Sequence, residues 1–353
     1  MTPMFKRICK IIGILLGAVI LLVAVGFGIL TVTEYRPADV QPAEHIAMVP
    51  SDAAAGRELS ICSWNVGYGG LGRESDFFMD GGKMVNPPSQ QAVEANMAAI
   101  LQWMQQNPAD VWLLQEVDVD SSRTGGMDQF RLMQEKLGLS GMLAYNYSCP
   151  FVPIPVPPLG RIHSGVATFT SLHTTGDPQR VSLPCPFTWP VRTANMKRCL
   201  LVNRMPVADS DKELVMVNLH LEAYESGEGR IAQTKMLMDL MQEEYAKGNY
   251  VIAGGDFNQS FPEALDLYPI VDSSTWMPGQ LEEDALPEGW RYAADLSGAT
   301  CRLLNAPYSA DSQLYVIDGF ILSPNVEMIS VETADLQFEN SDHNPVRLNV
   351  KLL

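Results

Sequence analysis

The stretch YVIAGGDFN, residues 250–258, decides the fold, because an apolar run of strand length ends there in a carboxylate and an amide. Such a run, flanked by turn residues, is typical of a buried β-strand. If the strand continues, Asp256 and Asn258 project to one face and Phe257 to the other. A carboxylate in this position is costly to bury unless it meets a cation or hydrogen-bond donors. The stretch therefore predicts a core strand that carries functional groups at its end.

Seven further apolar runs are predicted strands, and most of them also meet polar side chains. These runs are residues 59–64, 111–116, 164–170, 198–205, 214–222, 314–322 and 345–352. The polar residues within or beside them are Asn65, Glu116, His220, Asp318, Asp342 and His343. If the strand ends meet at one rim, these groups converge with Asp256 and Asn258. An oxygen-rich cluster of this kind suits a hard cation such as Mg²⁺ or Mn²⁺, whereas no Cys–His spacing indicates zinc.

Two helices are predicted between the strands. Residues 89–106 begin at Ser89, a good N-cap position after Pro88, and stop at Asn107-Pro108. Residues 229–247 end at Gly248. Hairpins mixed with strand–helix–strand units predict two sheets covered by helices, within one domain at residues 59–353.

The first 58 residues have a different character. Residues 1–10 form a basic flank, and residues 11–33 carry no charge. A helix of that length crosses a hydrocarbon core of about 30 Å, so we predict a transmembrane helix at 11–33 and a linker at 34–58. The positive-inside rule then places the N-terminus in the cytoplasm and the domain on the extracytoplasmic side of the membrane. A cleaved secretory signal is the alternative, but its apolar region is usually only about 7–15 residues long.

Composition excludes several classes of protein. Hydrophobic residues make up 46% and charged residues 18% of the chain, which excludes a disordered protein. The formal net charge of −17 opposes the binding of nucleic acid through a broad basic face. The sequence also lacks the phosphate-binding motif G-x-x-x-x-G-K-[ST] and the G-x-S-x-G motif of common serine hydrolases.

Seven short motifs follow one another along the chain. They are SWN (63–65), LLQE (113–116), SGVA (164–167), NLHLEA (218–223), GGDFN (254–258), IDGF (317–320) and SDHNPV (341–346). This ordered set resembles the endonuclease/exonuclease/phosphatase superfamily and covers nearly all of the predicted domain. The resemblance implies an α/β fold, a four-layer α/β/β/α sandwich of two packed mixed sheets flanked by helices. It also implies metal-dependent hydrolysis of a phosphate ester.

The resemblance further implies three metal-site residues. Glu116 matches the principal ligand of the metal, and Asn65 and Asp342 match residues near or on it. The implied cofactor is Mg²⁺ or Mn²⁺. A divalent metal suits the chemistry because it neutralises charge that develops on phosphoryl oxygens.

Five other residues match catalytic positions of the superfamily. Asp256 matches the residue that orients or deprotonates the attacking water, and Asn258 matches a donor to the phosphate. His343 matches the histidine of the C-terminal motif, with Asp318 as the carboxylate that pairs with it. His220 matches a histidine that stabilises the phosphate. A carboxylate that activates water and donors aimed at non-bridging oxygens are what hydrolysis of an anionic ester requires.

These observations favour a single-pass, membrane-anchored phosphoesterase with an extracytoplasmic catalytic domain. The acidity and the anchor favour a phospholipid head group or a small phosphodiester as substrate. An extracellular nuclease acting on DNA or RNA is the first alternative, so nucleic acid is a possible but less favoured partner. A catalytically silent binding module on the same fold is an alternative of another class.

Three further features give weaker predictions. Tyr68 and His163 lie near motif residues and are additional candidates for the site. The Pro-rich stretch at 144–160 is predicted to be a surface loop, with a lipid-contacting lip as the more specific hypothesis. Cys149 and Cys185 are predicted to form a disulfide between two Pro-rich loops.

Overall fold

The computed structural model describes residues 3–47, 54–225 and 227–353. The beginning of the predicted basic flank and residues 48–53 of the predicted linker lie outside the described residues. Along the rest of the chain, hairpins alternate with strand–helix–strand units.

The structure has five α-helices and eighteen strands among the described residues. The helices are α1 (Pro3–Val32), α2 (Gln90–Gln106), α3 (Gln129–Leu137), α4 (Glu228–Ala246) and α5 (Ala264–Leu267). The strands of the N-terminal half are β1 (Val40–Pro42), β2 (Glu44–Ile46), β3 (Glu58–Asn65), β4 (Val111–Asp118), β5 (Ser140–Val152), β6 (Gly160–Thr170) and β7 (Gln179–Ser182). The remaining strands are β8 (Cys199–Pro206), β9 (Glu213–His220), β10 (Tyr250–Asp256), β11 (Gln259–Ser260), β12 (Gly279–Gln280), β13 (Arg291–Ala293), β14 (Cys301–Arg302), β15 (Leu314–Tyr315), β16 (Asp318–Leu322), β17 (Val326–Thr333) and β18 (Val346–Leu352).

Two mixed sheets of seven strands form the centre of the domain. The first sheet has the order β1-β7-β8-β9-β10-β16-β13, and the second has the order β17-β18-β3-β4-β6-β5-β2. Each sheet contains one parallel pair, β9 with β10 in the first and β3 with β4 in the second. Because parallel neighbours end at the same edge, Asp256 on β10 and Asn65 on β3 both come to the rim of their sheet.

Apolar side chains join the layers. Between the sheets, Ile61 and Leu113 of the second sheet pack with Ile252 and Phe320 of the first. Helix α4 covers the outer face of the first sheet, and α2 and α3 cover the outer face of the second. Each fully buried aliphatic or aromatic side chain contributes about 1.5–3 kcal/mol to this packing. The predicted four-layer α/β/β/α sandwich is confirmed.

The predicted strand at 314–322 is wrong in its middle. The structure has two strands there, β15 in a small hairpin with β14 and β16 in the first sheet. Between them, the backbone amides of Ile317 and Asp318 donate hydrogen bonds to the hydroxyl of Thr300. The hydroxyl of Thr300 thus accepts the hydrogen bonds where the chain passes from the hairpin to the first sheet. Apolar residues continue on both sides of Asp318, so the sequence pattern does not reveal that the strand is divided there.

Two segments predicted to be irregular contain strands. Within the predicted linker, β1 pairs with β7 and β2 pairs with β5, so this part of the chain extends both sheets. The predicted loop at 144–160 is strand as far as Val152, because β5 continues to pair with β6 across two irregularities in register. Only the Pro-rich tip beyond Val152 connects the two strands. The predicted disulfide is absent, since Cys149 and Cys185 are both free thiols.

Helix α1 includes nearly all of the apolar stretch predicted to cross a membrane. By length and composition it is a candidate membrane span or signal sequence. None of its residues is buried. Its C-terminal end contacts the domain, and this contact is described below.

Candidate active site

The register of the first sheet places three of the predicted residues side by side. Asp256, the last residue of β10, pairs with His220 on β9 and with Asp318 on β16. All three side chains are almost completely buried. Nε2 of His220 lies 3.4 Å from Oδ2 of Asp256. The sheet backbone, rather than a flexible loop, therefore sets the spacing of these groups.

His343 joins this row from the turn before β18. Its Nδ1 lies 2.8 Å from Oδ2 of Asp318, and its Nε2 lies 3.8 Å from Oδ2 of Asp256. The indole Nε1 of Trp64 donates to the His343 carbonyl at 2.8 Å, which fixes the turn against the second sheet. The hydrogen bond between Nδ1 and Asp318 therefore orients the ring so that Nε2 faces Asp256.

Asn65 and Glu116 come from the second sheet. The amide Nδ2 of Asn65 donates to Oε1 of Glu116 at 3.2 Å and to Oδ2 of Asp256 at 3.1 Å. Its Oδ1 accepts a hydrogen bond from the amide of Gly67 at 3.0 Å. Asn65 thus joins the two sheets by donating to two carboxylates. Because its oxygen faces Gly67, its predicted role on the metal stays a prediction, and the contacts seen are those of a positioning residue.

Unusual backbone conformations cluster at the site. Tyr68, Glu116 and Asn258 have positive φ angles of 43°, 59° and 51°. Glu116 lies where the pairing of β4 with β6 shifts register between Leu114 and Val117. Residues in this region of φ and ψ cost about 1–3 kcal/mol each and are concentrated at functional sites. Side chains along a strand normally alternate between its two faces. The irregularity breaks this alternation at Glu116 and explains how its side chain faces the cleft.

Burial raises the pKa of the three predicted site carboxyls that line the cleft. The pKa of Asp342 is raised to about 7 and that of Asp256 to about 6, chiefly by loss of solvent and by neighbouring carboxylates. The pKa of Glu116 is also raised by burial, against the opposing effect of Arg123. A divalent cation bound in the cleft would stabilise the charged form of these buried carboxyls.

The pKa values of the two histidines are shifted in opposite directions. Burial by itself would lower the pKa of His343, but Asp318 and Asp342 outweigh it and hold that pKa well above its usual value. Burial lowers the pKa of His220 well below its usual value, and the nearby charges of Arg198 and His343 lower it further. The surroundings therefore favour the protonated form of His343 and the neutral form of His220.

These groups form the floor of one cleft of about 610 Å³. Six of the eight predicted residues line it: Glu116, His220, Asp256, Asn258, Asp342 and His343. Asn65 and Asp318 are fully buried behind this floor, in hydrogen-bond contact with it. Nδ2 of Asn258 donates to the carbonyl of Leu221 at 2.9 Å, and its second amide hydrogen has no partner among the described residues. The structure thus brings all eight residues together.

The cleft also contains cations that the motifs do not reveal. Arg123 is nearly buried, forms a two-point ion pair with Asp118 at 2.9 and 3.0 Å, and stacks 3.5 Å from the ring centroid of Tyr68. Arg198 pairs with Glu222 at 3.3 Å. In the sequence, Arg123 is marked only by its position seven residues after Glu116, which does not by itself indicate a role in the site.

The two extra candidates have different outcomes. Tyr68 lines the cleft, and its hydroxyl pKa is raised strongly by burial. His163 lies outside the residues that line the cleft and stacks against Tyr145 with ring centroids 3.9 Å apart. Its contacts are those of a packed surface histidine.

The fold and the site together define a class of protein, the metal-dependent hydrolases of phosphate esters. The sequence model described as "Endonuclease/Exonuclease/phosphatase family" matches residues 62–343. The chain therefore belongs to the endonuclease/exonuclease/phosphatase family. No curated protein matches the sequence.

Solved structures share the fold at low sequence identity. A protein of this family from Beutenbergia cavernae is 18% identical, with a TM-score of 0.57 over 84% of this chain and 72% of its own. One from Bacteroides vulgatus is 15% identical, with a TM-score of 0.53 over 84% of this chain and 99% of its own. The catalytic domain of human nocturnin, with a bound sulfate, is 16% identical, with a TM-score of 0.51 over 89% of this chain and 99% of its own.

Proposed function

We propose that the protein is a membrane-anchored, extracytoplasmic phosphoesterase that uses a divalent metal, Mg²⁺ or Mn²⁺, to hydrolyse a phosphodiester or a phosphomonoester. The observation that carries the proposal is the row His220, Asp256 and Asp318 with His343 at the floor of a cleft. A phospholipid head group or a small phosphodiester is favoured as substrate over nucleic acid. The net charge of −17 and the apolar upper cleft support this preference.

Glu116 and Asp342 are the residues that would hold the metal. Both line the cleft, and burial raises the pKa of each carboxyl, so a cation that they hold would relieve an unfavourable charge. Their oxygens are the ligands that Mg²⁺ prefers. When bound, the metal supplies positive charge to the phosphoryl oxygens. Ligand atoms of Asp256, Asp318 and His343 also lie within 4.8 Å of one another. We do not assign the metal to this group, because Asp318 already accepts a hydrogen bond from His343.

Asp256 is the residue that would accept a proton from the attacking water. Its pKa of about 6 is close to neutral pH, as general-base catalysis favours. The carboxylate is held at both oxygens, since Oδ1 accepts from the amide of Asn258 at 2.9 Å and Oδ2 accepts from Asn65 at 3.1 Å. A base fixed in this way needs little reorganisation during the reaction.

His343, His220 and Asn258 would bind the phosphoryl group. His343 is a cation that Asp318 orients, so its Nε2–H can donate to a phosphoryl oxygen. His220 is neutral and adds a donor without adding charge, while the free amide hydrogen of Asn258 adds a third donor. Donors fixed before the substrate arrives stabilise the transition state more than mobile ones do.

The proposal is tested with a panel of substrates and purified full-length protein in detergent micelles. The panel contains bis-p-nitrophenyl phosphate, sphingomyelin, inositol phosphates, plasmid DNA and RNA, each with Mg²⁺ or with EDTA. Asp256→Asn is compared with Asp239→Asn, a substitution at an exposed site on α4. We expect metal-dependent hydrolysis of a lipid or small ester that Asp256→Asn abolishes and Asp239→Asn leaves unchanged.

Other outcomes decide among the alternatives. Preferential cleavage of plasmid DNA or RNA would make the protein a nuclease. Hydrolysis that persists in EDTA or in Asp256→Asn would contradict the proposed site. No hydrolysis of any substrate by the wild-type protein would favour the binding module.

A further inference from the structure

The upper wall of the cleft is apolar, in contrast to its polar floor. Met79, Val152, Ile154, Phe187 and Val191, from three separate segments of the chain, line the same cleft as the catalytic groups. Ile154 and Val191 are 70% and 56% exposed. Large apolar side chains that surround a polar site and remain exposed mark a surface that meets a hydrophobic ligand or a membrane.

The N-terminal helix α1 supplies another part of this wall. Phe27 and Leu30 line the same cleft, and Leu30 packs against the apolar cluster of Val152 and Leu159. The helix that would anchor the protein in a membrane is therefore also a side of the substrate cleft.

Specific contacts attach the end of α1 to the loop at 187–197. The ring of Phe27 lies 5.9 Å from that of Trp189, and Trp189 Nε1 donates to the hydroxyl of Thr31 at 3.0 Å. Just beyond the helix, Glu34 is almost fully buried and forms ion pairs of 3.3 Å with both Arg192 and Lys197. The domain is thus attached directly to the anchor and not suspended from a free tether.

These contacts fix the position of the cleft opening along the axis of α1, and therefore its depth in a bilayer that α1 spans. Phe27 precedes the end of α1 at Val32 by five residues, or about 8 Å at the rise of an α-helix. When α1 spans a bilayer, Trp189 and the apolar wall beside it lie at the level of the outer leaflet. Tryptophan is enriched at this level of membrane proteins. Beside this wall, Phe151 near the end of β5 and Ile154 and Val156 in the tip of the β5–β6 hairpin are exposed, and Ile154 also lines the cleft.

We propose that the apolar wall is a groove for an acyl chain of a phospholipid, which enters the cleft sideways from the bilayer that holds α1. The inference rests on the proposed function, because the acyl chain would place the phosphate ester of the same molecule over Asp256 and His343. The continuity of the wall with α1 identifies the occupant: the molecules at that depth are membrane lipids. A nucleic acid strand would instead leave its charged backbone against apolar side chains.

A photolabelling experiment tests the groove without turnover. Full-length protein is placed in phosphatidylcholine vesicles that contain a phospholipid with a diazirine on its acyl chain, in EDTA, and the labelled peptides are mapped by mass spectrometry. We expect label in residues 77–79, 151–159 and 187–191 in addition to α1. Label confined to α1 would overturn the inference, whether or not the protein is a phosphoesterase.

A matched pair of variants tests whether the groove serves the reaction. Ile154→Asp places a charge on the wall, and Ile231→Asp places one on α4 at the same exposure, 70% against 69%. We expect the ratio of phospholipid to bis-p-nitrophenyl phosphate turnover to fall about ten-fold or more in Ile154→Asp, because a charge is costly in an apolar groove. Ile231→Asp should keep the wild-type ratio.

The outcomes separate this inference from the proposed function. An equal ratio in all variants, with both substrates hydrolysed, would overturn the groove and leave the phosphoesterase intact. Wild-type protein that hydrolyses neither substrate would overturn the proposed function and the catalytic part of the inference. Melting curves for each variant confirm that it is folded.

Discussion

Nδ1 of His343 lies 2.8 Å from Oδ2 of Asp318, across the boundary between a turn and a buried strand. Asp318 is completely buried, and its other oxygen has no hydrogen-bond partner among the described residues. The carboxylate is therefore committed to the histidine. It keeps the ring in one orientation and raises the pKa of His343, so that Nε2 carries a proton into the cleft.

Asp318→Asn should therefore impair catalysis and leave the fold intact. The amide has the same shape but no charge, so it neither stabilises the imidazolium nor fixes its tautomer. We expect turnover of bis-p-nitrophenyl phosphate to fall by about 10²–10⁴-fold, the range seen when such a carboxylate is neutralised. Asp284→Asn, at an exposed site, is the control. Wild-type turnover in Asp318→Asn would show that the pair has no catalytic role.

Arg123 and Arg161 form a natural comparison of a buried ion pair with an exposed one. Arg123 contacts Asp118 at two points and stacks on Tyr68, with only 9% of its side chain exposed. Arg161 pairs with Asp120 at 2.6 Å, with 51% of each side chain exposed. Lysine keeps the charge at either position but loses the planar, two-point geometry of arginine.

Arg123→Lys should consequently destabilise the protein by about 2 kcal/mol, since it loses a charged hydrogen bond and the stacking on Tyr68. Arg161→Lys should change the free energy of unfolding by less than about 0.5 kcal/mol, as is usual for exposed pairs. Chemical denaturation in detergent micelles measures both. Equal effects of the two substitutions would contradict the structural difference between the sites.

The site residues at the strand ends can be predicted from the sequence, but the residues that form the walls of the cleft cannot. Asp256 and His220 could be identified because they belong to an ordered set of seven motifs, whereas a single histidine in a strand more often has a structural role. Arg123 could not, because only tertiary folding brings an arginine of an irregular segment under Tyr68. The orientation of Asn65 is equally invisible, since an amide offers a donor and an acceptor of the same size.

The apolar wall of the cleft also could not be predicted from the sequence. Each of its segments is a short, unremarkable run in the sequence, and only folding places Phe27 of the helix beside the loop of Trp189. The Pro-rich tip after Val152 suggested a contact with lipid from its composition, whereas its place beside the catalytic floor required the structure. Composition indicates what a segment can contact, and topology determines where that contact is made.

Glu244 gives a pH-dependent contribution to stability. Burial alone would raise the pKa of its carboxyl, but hydrogen bonds from Arg204, Lys247 and Asn249 outweigh burial and lower the pKa from 4.5 to about 2. A lowered pKa means that the folded state favours the charged form more than the unfolded state does. The stabilisation is therefore fully present above pH 4.5 and is lost as the pH falls toward 2.

Replacing Glu244 by Gln should reveal this window. We expect Glu244→Gln to lower the free energy of unfolding by roughly 2 kcal/mol near neutral pH, with a difference from wild type that shrinks as the medium is acidified. Glu243→Gln, its exposed neighbour on α4, should have almost no effect at any pH. Melting midpoints measured at several pH values provide the comparison. A difference that grows on acidification would show that the sign is wrong.

The backbone at Gly67 lies against Asp342, the proposed metal ligand, so a substitution at Gly67 tests whether metal binding depends on the position of Asp342. Its φ is +49°, and a Cβ added there would lie 2.8 Å from Oδ1 of Asp342. Gly138 has a similar φ of +67°, with no atom within 4 Å of an added Cβ. Alanine at Gly138 therefore introduces the strain of a left-handed conformation alone, about 1 kcal/mol. Alanine at Gly67 introduces that strain and also displaces Asp342.

The two alanine variants should differ in their affinity for metal. Gly67→Ala should raise the Kd for Mn²⁺ about ten-fold or more, as expected when the support of a ligand is disturbed, while Gly138→Ala should bind Mn²⁺ like the wild-type protein. Isothermal titration of the full-length protein in micelles measures both constants. If Gly67→Ala binds Mn²⁺ as tightly as Gly138→Ala does, Asp342 is not a ligand or its position does not depend on Gly67. A parallel titration of Asp342→Asn separates these two explanations, because a true ligand loses affinity when its charge is removed.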